Sequence, residues 1–308
     1  MTASVTNRKI LLAGNGAAAC ASLDLALSLR PPADVLVLAP SGGPLHAWQD
    51  SLEAAAARRG VRCLTPERVN EPDVVAEIAA FGADLLLSVY YTQIFRPALL
   101  EAVNGPRLNV HPSLLPRHRG TAPLIWAIVE GDTRTGVTVH HLDTSVDTGR
   151  IVIQRELSIH DEDTGSTLHD KATRLAVATV ADLLRRWSYG EPIPEGYAQE
   201  GPGCLHRKAD ATLNLIDPQD SPERVARIVR ALAPPLPGAT IALPGGLLTL
   251  CRVTPVEISG PAGTLTWTAD GPVYLLATGG VRLDRIWAGG QELTGERLPA
   301  AGLEPVNA

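Results

Sequence analysis

The sequence predicts an α/β protein with two domains, one built on a mostly parallel sheet wound with helices and a smaller β domain. Over the first two hundred residues, short apolar runs alternate with helix-like segments, the pattern of a parallel sheet. After Trp187 comes a linker rich in Pro and Gly, then short strands punctuated by Gly and Pro every 6–12 residues. That spacing favours a small antiparallel barrel or sandwich. We therefore predict a Rossmann-like domain over 1–200 and a second domain over 206–308.

Apolar runs ended by Gly or Pro mark the strands of the first domain, because buried parallel strands are apolar on both faces. Periodic or alanine-rich segments mark the helices between them, among them 18–29 and 47–60. The predicted strands are RKILLA (8–13), DVLVLA (34–39), VRCL (61–64), ADLLLSVYY (83–91) and RLNV (107–110).

Three further helices and two further strands are expected after residue 120. A helix over APLIWAIVEG precedes the strands GVTVHHLD and RIVIQREL, which the turn-rich TSVDTG joins. The longest amphipathic helix ends at Trp187, and Thr164 or Ser166 is its expected N-cap. In the second domain, Ser221 is expected to cap a helix with Pro222 at its first position.

Composition limits the class of function. The 308 residues carry a net charge of −6 at pH 7 and contain no basic block that would bind nucleic acid. The four cysteines are far apart and form no C-x-x-C, which argues against a disulfide framework and a zinc ribbon. The N-terminus lacks the pattern of a secretory signal, and no apolar run approaches the ~18 residues of a membrane span. We expect a cytoplasmic protein with no membrane partner.

Three common kinds of site fit the sequence poorly. GNGAAA (14–19) follows a strand and opens a helix, but the second strand lacks the acidic residue at its end that holds a dinucleotide ribose. His140 and His141 are adjacent and point to opposite faces of a strand, and no H-E-x-x-H is present, so no metal is expected. The serine-hydrolase elbow G-x-S-x-G is also missing.

A more specific pattern begins in LNVHPSLLPRHRGTAP (108–123). Asn109 and His111 alternate at the end of a strand, so their side chains project to the same side. The asparagine amide can donate to an oxygen that gains negative charge, and the histidine can donate or move a proton. Asp147 follows the next strand, and we expect it at the same point because parallel strand ends gather at one edge. This trio suits acyl transfer to an amine without a serine or cysteine nucleophile.

The string NVHPSLLPRHRGTAPLIWAI, followed by TGVTVHHLDTSVDTGRI, resembles the signature region of the folate-dependent formyltransferases. The resemblance rests on Asn-x-His, Ser-Leu-Leu-Pro, Arg-Gly and a downstream Asp-x-Gly, and the whole chain is similar to the family layout. It implies a Rossmann-like catalytic domain and an OB-like C-terminal β-barrel.

The resemblance also implies the roles of individual residues. The first domain would bind 10-formyltetrahydrofolate at the C-terminal edge of its sheet. Asn109 and His111 would hydrogen-bond the formyl oxygen of the tetrahedral intermediate, and Asp147 would orient His111 or accept the amine proton. An apolar slot for the pterin would be lined by Tyr90, Tyr91 and Leu115, with polar contacts, partly through backbone, from His141, Leu142 and Asp143.

The acceptor is predicted from finer features. SVYYTQIF (88–95) and VRALAPPLPGA (229–239) are more similar to the amino-sugar enzymes of the family. The tRNA-acting members carry basic segments, whereas 206–308 hold nine Lys or Arg against ten Asp or Glu, and 41–51 hold no Lys or Arg. An amino-deoxysugar nucleotide is therefore the first choice, and no nucleic-acid partner is expected.

Other acceptors and one other reaction stay open at this point. The acceptor could be an amino acid such as ornithine or hydroxyornithine, another natural-product amine, or methionyl-tRNA. With water in place of the amine, the protein would be a 10-formyltetrahydrofolate hydrolase. The second domain could shape the acceptor site, mediate a homodimer or buttress the first domain, because fold alone does not decide this.

Overall fold

The structure is a computed structural model that describes residues 8–43, 50–207, 214–244, 246–288 and 291–294. The chain divides into two compact units. The larger unit contains Met1–Gly120, Thr135–Leu157 and Asp170–Leu205, and the smaller contains Thr121–Arg134, Ser158–His169 and His206–Ala308. The sequence predicts two independently folding domains, over 1–200 and 206–308, and these domain boundaries stay a prediction.

A seven-stranded sheet forms the centre of the larger unit, in the order β3-β2-β1-β4-β5-β7-β8. The ladders from β3 to β5 are parallel, and β7 runs antiparallel to β5. This confirms the mostly parallel sheet expected from the sequence. The strands are β1 (Ile10–Gly14), β2 (Val35–Leu38), β3 (Arg62–Leu64), β4 (Leu85–Val89), β5 (Arg107–His111), β7 (Arg134–His141) and β8 (Ile151–Ser158); the short β6 (Arg119–Gly120) lies between β5 and β7 in the chain.

Both faces of this sheet are covered by helices, which explains why its strands are apolar without alternation. Ile10 and Leu12 of β1 belong to one buried cluster, and Leu11 and Ala13 to another. The first cluster includes residues of α1 (Gly16–Leu29), α2 (Leu52–Arg58) and α6 (Gly165–Ser188), and the second includes residues of α3 (Pro72–Phe81) and α4 (Pro97–Glu101). The central strands are therefore fixed from both sides.

The helix ends follow local chemistry, with one difference from the expectations and one choice between two expected caps. The helix predicted over 47–60 begins at Leu52, because the Ser51 hydroxyl accepts the Ala54 N–H; residues 47–49 lie outside the described residues. Thr164, rather than Ser166, caps α6 by accepting the Thr167 N–H at 3.2 Å. The end of α3 at Gly82 (φ 69°) is the left-handed C-cap that glycine permits.

The smaller unit contains a separate antiparallel sheet. Its strands follow the order β10-β11-β14-β13-β12, and β15 pairs with β14. Ser221 caps its helix α7 as expected, through the Arg224 N–H at 3.2 Å. Closure of the sheet into an OB-like barrel stays a prediction. The elements are α5 (Pro123–Val129), α7 (Pro222–Ala231), β10 (Ala239–Leu243), β11 (Gly246–Val256), β12 (Leu265–Thr268), β13 (Gly271–Leu276), β14 (Gly279–Ala288) and β15 (Gln291–Thr294). The short strand β9 (Leu205–His206) begins at the last residue of the larger unit.

Among the described residues, no helix has both the length and the apolar character that crossing a membrane requires.

The core of the larger unit provides a test of the fold. Leu87 in β4 is fully buried in the first cluster, so we expect Leu87→Ala to lower the free energy of unfolding by about 2–5 kcal/mol. Leu205→Ala is the matched control, because Leu205 is 43% exposed, and its effect should stay below about 1 kcal/mol. Urea denaturation followed by circular dichroism measures both. Equal losses in the two variants would contradict this core.

Candidate active site

The end of β5 places two polar side chains opposite its apolar ones. Leu108 and Val110 lie in the first buried cluster, so the pleat directs Asn109 and His111 to the other face. Both reach one carboxylate. The Asn109 amide nitrogen donates to Asp147 Oδ1 at 3.2 Å, and His111 Nδ1 lies 3.5 Å from Asp147 Oδ2. The structure thus brings the three predicted catalytic residues together.

Asp147 reaches this point by a different route from the one expected. The sequence argument relied on parallel strand ends, but β7 is antiparallel to β5, with Leu108 opposite His141 and His111 opposite Thr138. The loop after β7 folds back along β5 instead. Asp143 shapes this loop by accepting the Ser145 N–H at 3.0 Å and the Thr148 hydroxyl at 2.8 Å. That reasoning was therefore wrong about the strand direction, although the proximity it predicted is present.

A second histidine, which the sequence reasoning missed, completes the cluster. The β5–β7 register places His140 directly opposite Asn109. His140 Nε2 lies 3.1 Å from the Asn109 amide nitrogen and 3.4 Å from Asp147 Oδ1. The alternation along β7 was visible in the sequence. Only the pairing of β7 with β5 makes His140, rather than His141, the neighbour of Asn109.

Backbone carbonyls fix the tautomers of both histidines, since a carbonyl oxygen only accepts hydrogen bonds. His111 Nε2 lies 2.8 Å from the His118 carbonyl oxygen, so Nε2 carries a hydrogen and a neutral His111 presents its Nδ1 lone pair to Asp147. His140 Nδ1 donates to the His141 carbonyl at 2.8 Å, so Nε2 accepts from Asn109. The amide group of Asn109 is thereby oriented with its nitrogen toward the cluster.

The protonation states follow from burial and from neighbouring charges. His111 is 5% exposed, and burial lowers its pKa, against a smaller upward effect of the Asp147 charge. Burial alone would raise the pKa of Asp147, but attraction to the His111 ring when it is charged, contact with His140 and the Gly120 N–H at 2.8 Å together bring it well below its ordinary range. A neutral His111 beside an ionised Asp147 is the state expected at pH 7.

The glycine of the Asp-x-Gly motif has a steric reason. A Cβ on Gly149 would lie 1.7 Å from the His141 carbonyl oxygen and 3.4 Å from His140 Nδ1. The chain returning from Asp147 therefore passes β7 too closely for any side chain at this position. Gly149 thus belongs with the site as a spacer between the loop and His140.

The six residues predicted to hold the pterin are placed separately. Tyr90 packs against the first buried cluster, whereas Tyr91 and Leu142 pack against the second, where the Tyr91 ring stacks on Phe95 at 5.3 Å. Tyr90 and Tyr91 therefore do not share one face of the sheet. Leu115 is buried. His141 Nε2 lies 2.9 Å from the Pro194 carbonyl, and Asp143 is exposed in the loop that it shapes.

This arrangement has definite chemical capacities. It offers an amide donor, a neutral imidazole that can take a proton on Nδ1, and a carboxylate that stabilises the resulting cation. The cluster itself holds no hydroxyl or thiol nucleophile, since its side chains are those of Asn109, His111, His140 and Asp147. It suits proton movement and stabilisation of an oxyanion at a carbonyl carbon attacked by an external nucleophile.

Sequence comparison identifies relatives of this chain. The profile described as "Formyl transferase" matches residues 19–183, which include the whole cluster. A protein named methionyl-tRNA formyltransferase from Geobacter metallireducens is 31% identical over 269 residues, 86% of each chain. Another of that name, from Citrifermentans bemidjiense, is 32% identical over 302 residues, 96% of this chain and 92% of the relative.

Structure comparison agrees with the sequence relatives in fold. The crystal structure of an N-formyltransferase from Helicobacter canadensis, in complex with folinic acid and dTDP-3-aminofucose, aligns with a TM-score of 0.68. The alignment covers 89% of this chain and 97% of that one, at 18% identity, and so speaks for a shared fold. With the matched signature region and relatives above 30% identity over most of its length, the chain belongs to the formyl transferase family, the folate-dependent formyltransferases.

Proposed function

We propose that this protein transfers the formyl group of 10-formyltetrahydrofolate to a primary amine of a small acceptor. The observation that carries the proposal is the convergence of Asn109, His111 and Asp147 at the end of β5. A neutral imidazole beside an ionised carboxylate suits an amine nucleophile, which must lose a proton as it is acylated.

The formyl donor is proposed to lie against the loops around this cluster. Membership of the family and the folinic acid in the Helicobacter canadensis complex support a folate donor. We retain Tyr90, Tyr91, Leu115, His141, Leu142 and Asp143 as candidates for contacts with the pterin. Because Tyr90 and Tyr91 pack on opposite faces, the two are proposed to contact the donor from different sides or through backbone groups.

The reaction requires one bond to form and one to break. The amine nitrogen attacks the formyl carbon, and the formyl oxygen becomes an oxyanion; the bond from that carbon to the folate nitrogen then breaks. Both hydrogens of the Asn109 amide nitrogen are directed at His140 and Asp147, so binding of the formyl oxygen exchanges one of these contacts for the oxyanion. The Asn109 amide therefore stabilises the oxyanion of the intermediate more than it stabilises the uncharged formyl oxygen of the donor.

The proton of the amine is proposed to pass to His111 Nδ1. His111 Nδ1 lies 3.5 Å from Asp147 Oδ2. The negative charge of this carboxylate stabilises the imidazolium that forms. His111 then gives the proton to the departing folate nitrogen. The low pKa of Asp147 favours the orienting role over direct acceptance of the amine proton, because a carboxylate that holds protons weakly is a weak base.

An amino-deoxysugar nucleotide is the acceptor that we propose first. The support is the Tyr-Tyr segment after β4, the segment 229–239, and the charge balance of 206–308, which is nearly neutral. A polyanionic tRNA is bound mainly through basic residues. We further propose cytoplasmic localisation, a homodimer, a catalytic domain over 1–200 and an OB-like barrel over 206–308.

Methionyl-tRNA is the second candidate acceptor, because the sequence relatives named above are methionyl-tRNA formyltransferases. An amino acid such as ornithine or hydroxyornithine, or another natural-product amine, uses the same chemistry. A 10-formyltetrahydrofolate hydrolase would release formate at the full catalytic rate without any acceptor.

The first prediction about the reaction concerns activity. With 10-formyltetrahydrofolate and a panel of amines, we expect acceptor-dependent release of tetrahydrofolate, and a fall in kcat/KM of about 10²–10⁴ in His111→Ala. His160→Ala is the matched control, because His160 is exposed and lies in the smaller unit. Absence of turnover with every amine, or full activity of His111→Ala, would overturn the proposal, and formate release without acceptor would favour the hydrolase.

The second prediction separates the two main acceptors. We expect formyl transfer to an amino-sugar nucleotide and only background transfer to methionyl-tRNA at ~0.15 M salt, because the sequence holds no basic block that would bind a polyanion. Filter binding over a range of salt concentrations measures the interaction with tRNA. Tight binding whose log K falls steeply with log salt would reverse the choice of acceptor.

The third prediction concerns the protonation of His111. Because burial lowers its pKa, we expect the ring to stay neutral, with hydrogen on Nε2, to a pH below its ordinary titration range. Asp147→Asn removes the charge that partly opposes this effect, so protonation should require a still lower pH. Nitrogen-15 NMR of the imidazole follows both proteins, with exposed His160 as an internal reference. Protonation of His111 at higher pH in the variant would contradict the proposed pairing.

A further inference from the structure

A backbone constraint holds Asp147 in place. Asp147 has φ 52°, in the left-handed region that residues with a side chain rarely adopt. In this conformation its carboxylate reaches His111, His140 and Gly120. A loop of this kind needs contacts that secure the backbone as well as the side chain.

Gln199 supplies those contacts from the segment after α6. Its side-chain nitrogen donates to the Asp147 carbonyl at 2.8 Å and to the Gly149 carbonyl at 2.9 Å. One amide group thereby holds both ends of the Asp-x-Gly motif. The two carbonyls are fixed relative to each other, and the intervening residue cannot reorient without breaking at least one hydrogen bond.

Arg119 fixes the orientation of that glutamine. Its Nε and Nη2 atoms donate to Gln199 Oε1 at 3.1 and 2.7 Å, which directs the nitrogen of the same amide toward the loop. The next residue, Gly120, donates its N–H to Asp147 Oδ2 at 2.8 Å. Arg119 and Gly120 therefore secure the backbone and the carboxylate of Asp147 at the same time.

We propose that Gln199 and Arg119 are positioning residues that hold the Asp147 carboxylate against His111 for formyl transfer. The proposal rests on the proposed function for its activity readout. Both residues lie outside β5, and neither contacts the reacting atoms nor moves protons. Without this support, the loop relaxes and the carboxylate moves away from His111, while the apolar core of the larger unit is untouched.

The test uses Gln199→Met, which keeps the side-chain length and removes all four hydrogen bonds. We expect kcat to fall by about 10-fold to 100-fold, since a displacement of about 1 Å costs up to 10²-fold, with the KM for 10-formyltetrahydrofolate within about twofold of the original. In the NMR titration, His111 should become protonated only at lower pH than in the unaltered protein, because the Asp147 charge that raises its pKa has moved.

Gln93→Met is the matched control. Gln93 also bridges two backbone positions of the larger unit, through Val69 N–H at 2.9 Å and the Pro66 carbonyl at 3.5 Å, but it touches none of the cluster residues in these contacts. We expect its kcat and its His111 titration to match the unaltered protein. A purely structural role for Gln199 would give the two variants the same result.

Arg119→Lys keeps the proposal testable if Gln199→Met does not fold. Lysine keeps one charged donor for Gln199 Oε1 in place of the two-atom contact, so we expect smaller changes in the same directions. An unchanged kcat and an unchanged His111 titration in a folded Gln199→Met or Arg119→Lys protein would overturn the proposal. A shifted titration in a protein that forms no formylated product would uphold the positioning role and reject the proposed function.

Discussion

The largely buried Asp147 carboxylate, 13% exposed, is the group around which this site is organised. An ion removed from water costs several kcal/mol unless hydrogen bonds and opposite charge replace its hydration. Here the Asn109 amide donates to one carboxylate oxygen and the Gly120 N–H to the other, and a proton on His111 Nδ1 would add the opposite charge. The positions of the surrounding groups follow from this one requirement, because each of them must approach the same two oxygen atoms.

The rigid turn between β5 and β6 serves the same requirement. Ser113 donates through its hydroxyl to the Arg117 carbonyl at 2.7 Å, and Thr138 donates to the Ser113 carbonyl at 2.7 Å. The turn then presents the His118 carbonyl to His111 and the Gly120 N–H to Asp147. Hydrogen bonds, in addition to the prolines of the sequence, thus stabilise this conformation of the segment, as a preorganised site requires.

The chemistry and the acceptor are determined by different parts of the protein. In the proposed reaction, the cluster at the end of β5 handles the formyl carbon and the amine proton, which every N-formylation needs, and it carries no information about the rest of the acceptor. This explains how relatives named for methionyl-tRNA and a neighbour bound to an aminosugar nucleotide share one fold. In this proposal, acceptor choice depends on charge and shape outside the cluster, and the chain as a whole carries a net charge of −6 at pH 7.

The sequence by itself determined the mostly parallel sheet, the cap at Ser221, and the placement of Asn109 and His111 on one side of a strand end. These depend on local patterns: apolar runs, hydroxyl residues before helices, and a period of two along a strand. Only the tertiary structure decided that β7 is antiparallel, that His140 faces Asn109, and that Gln199 holds the Asp147 loop. These contacts join residues 31 to 52 positions apart, and their register arises from strand pairing and chain return, which no local pattern encodes.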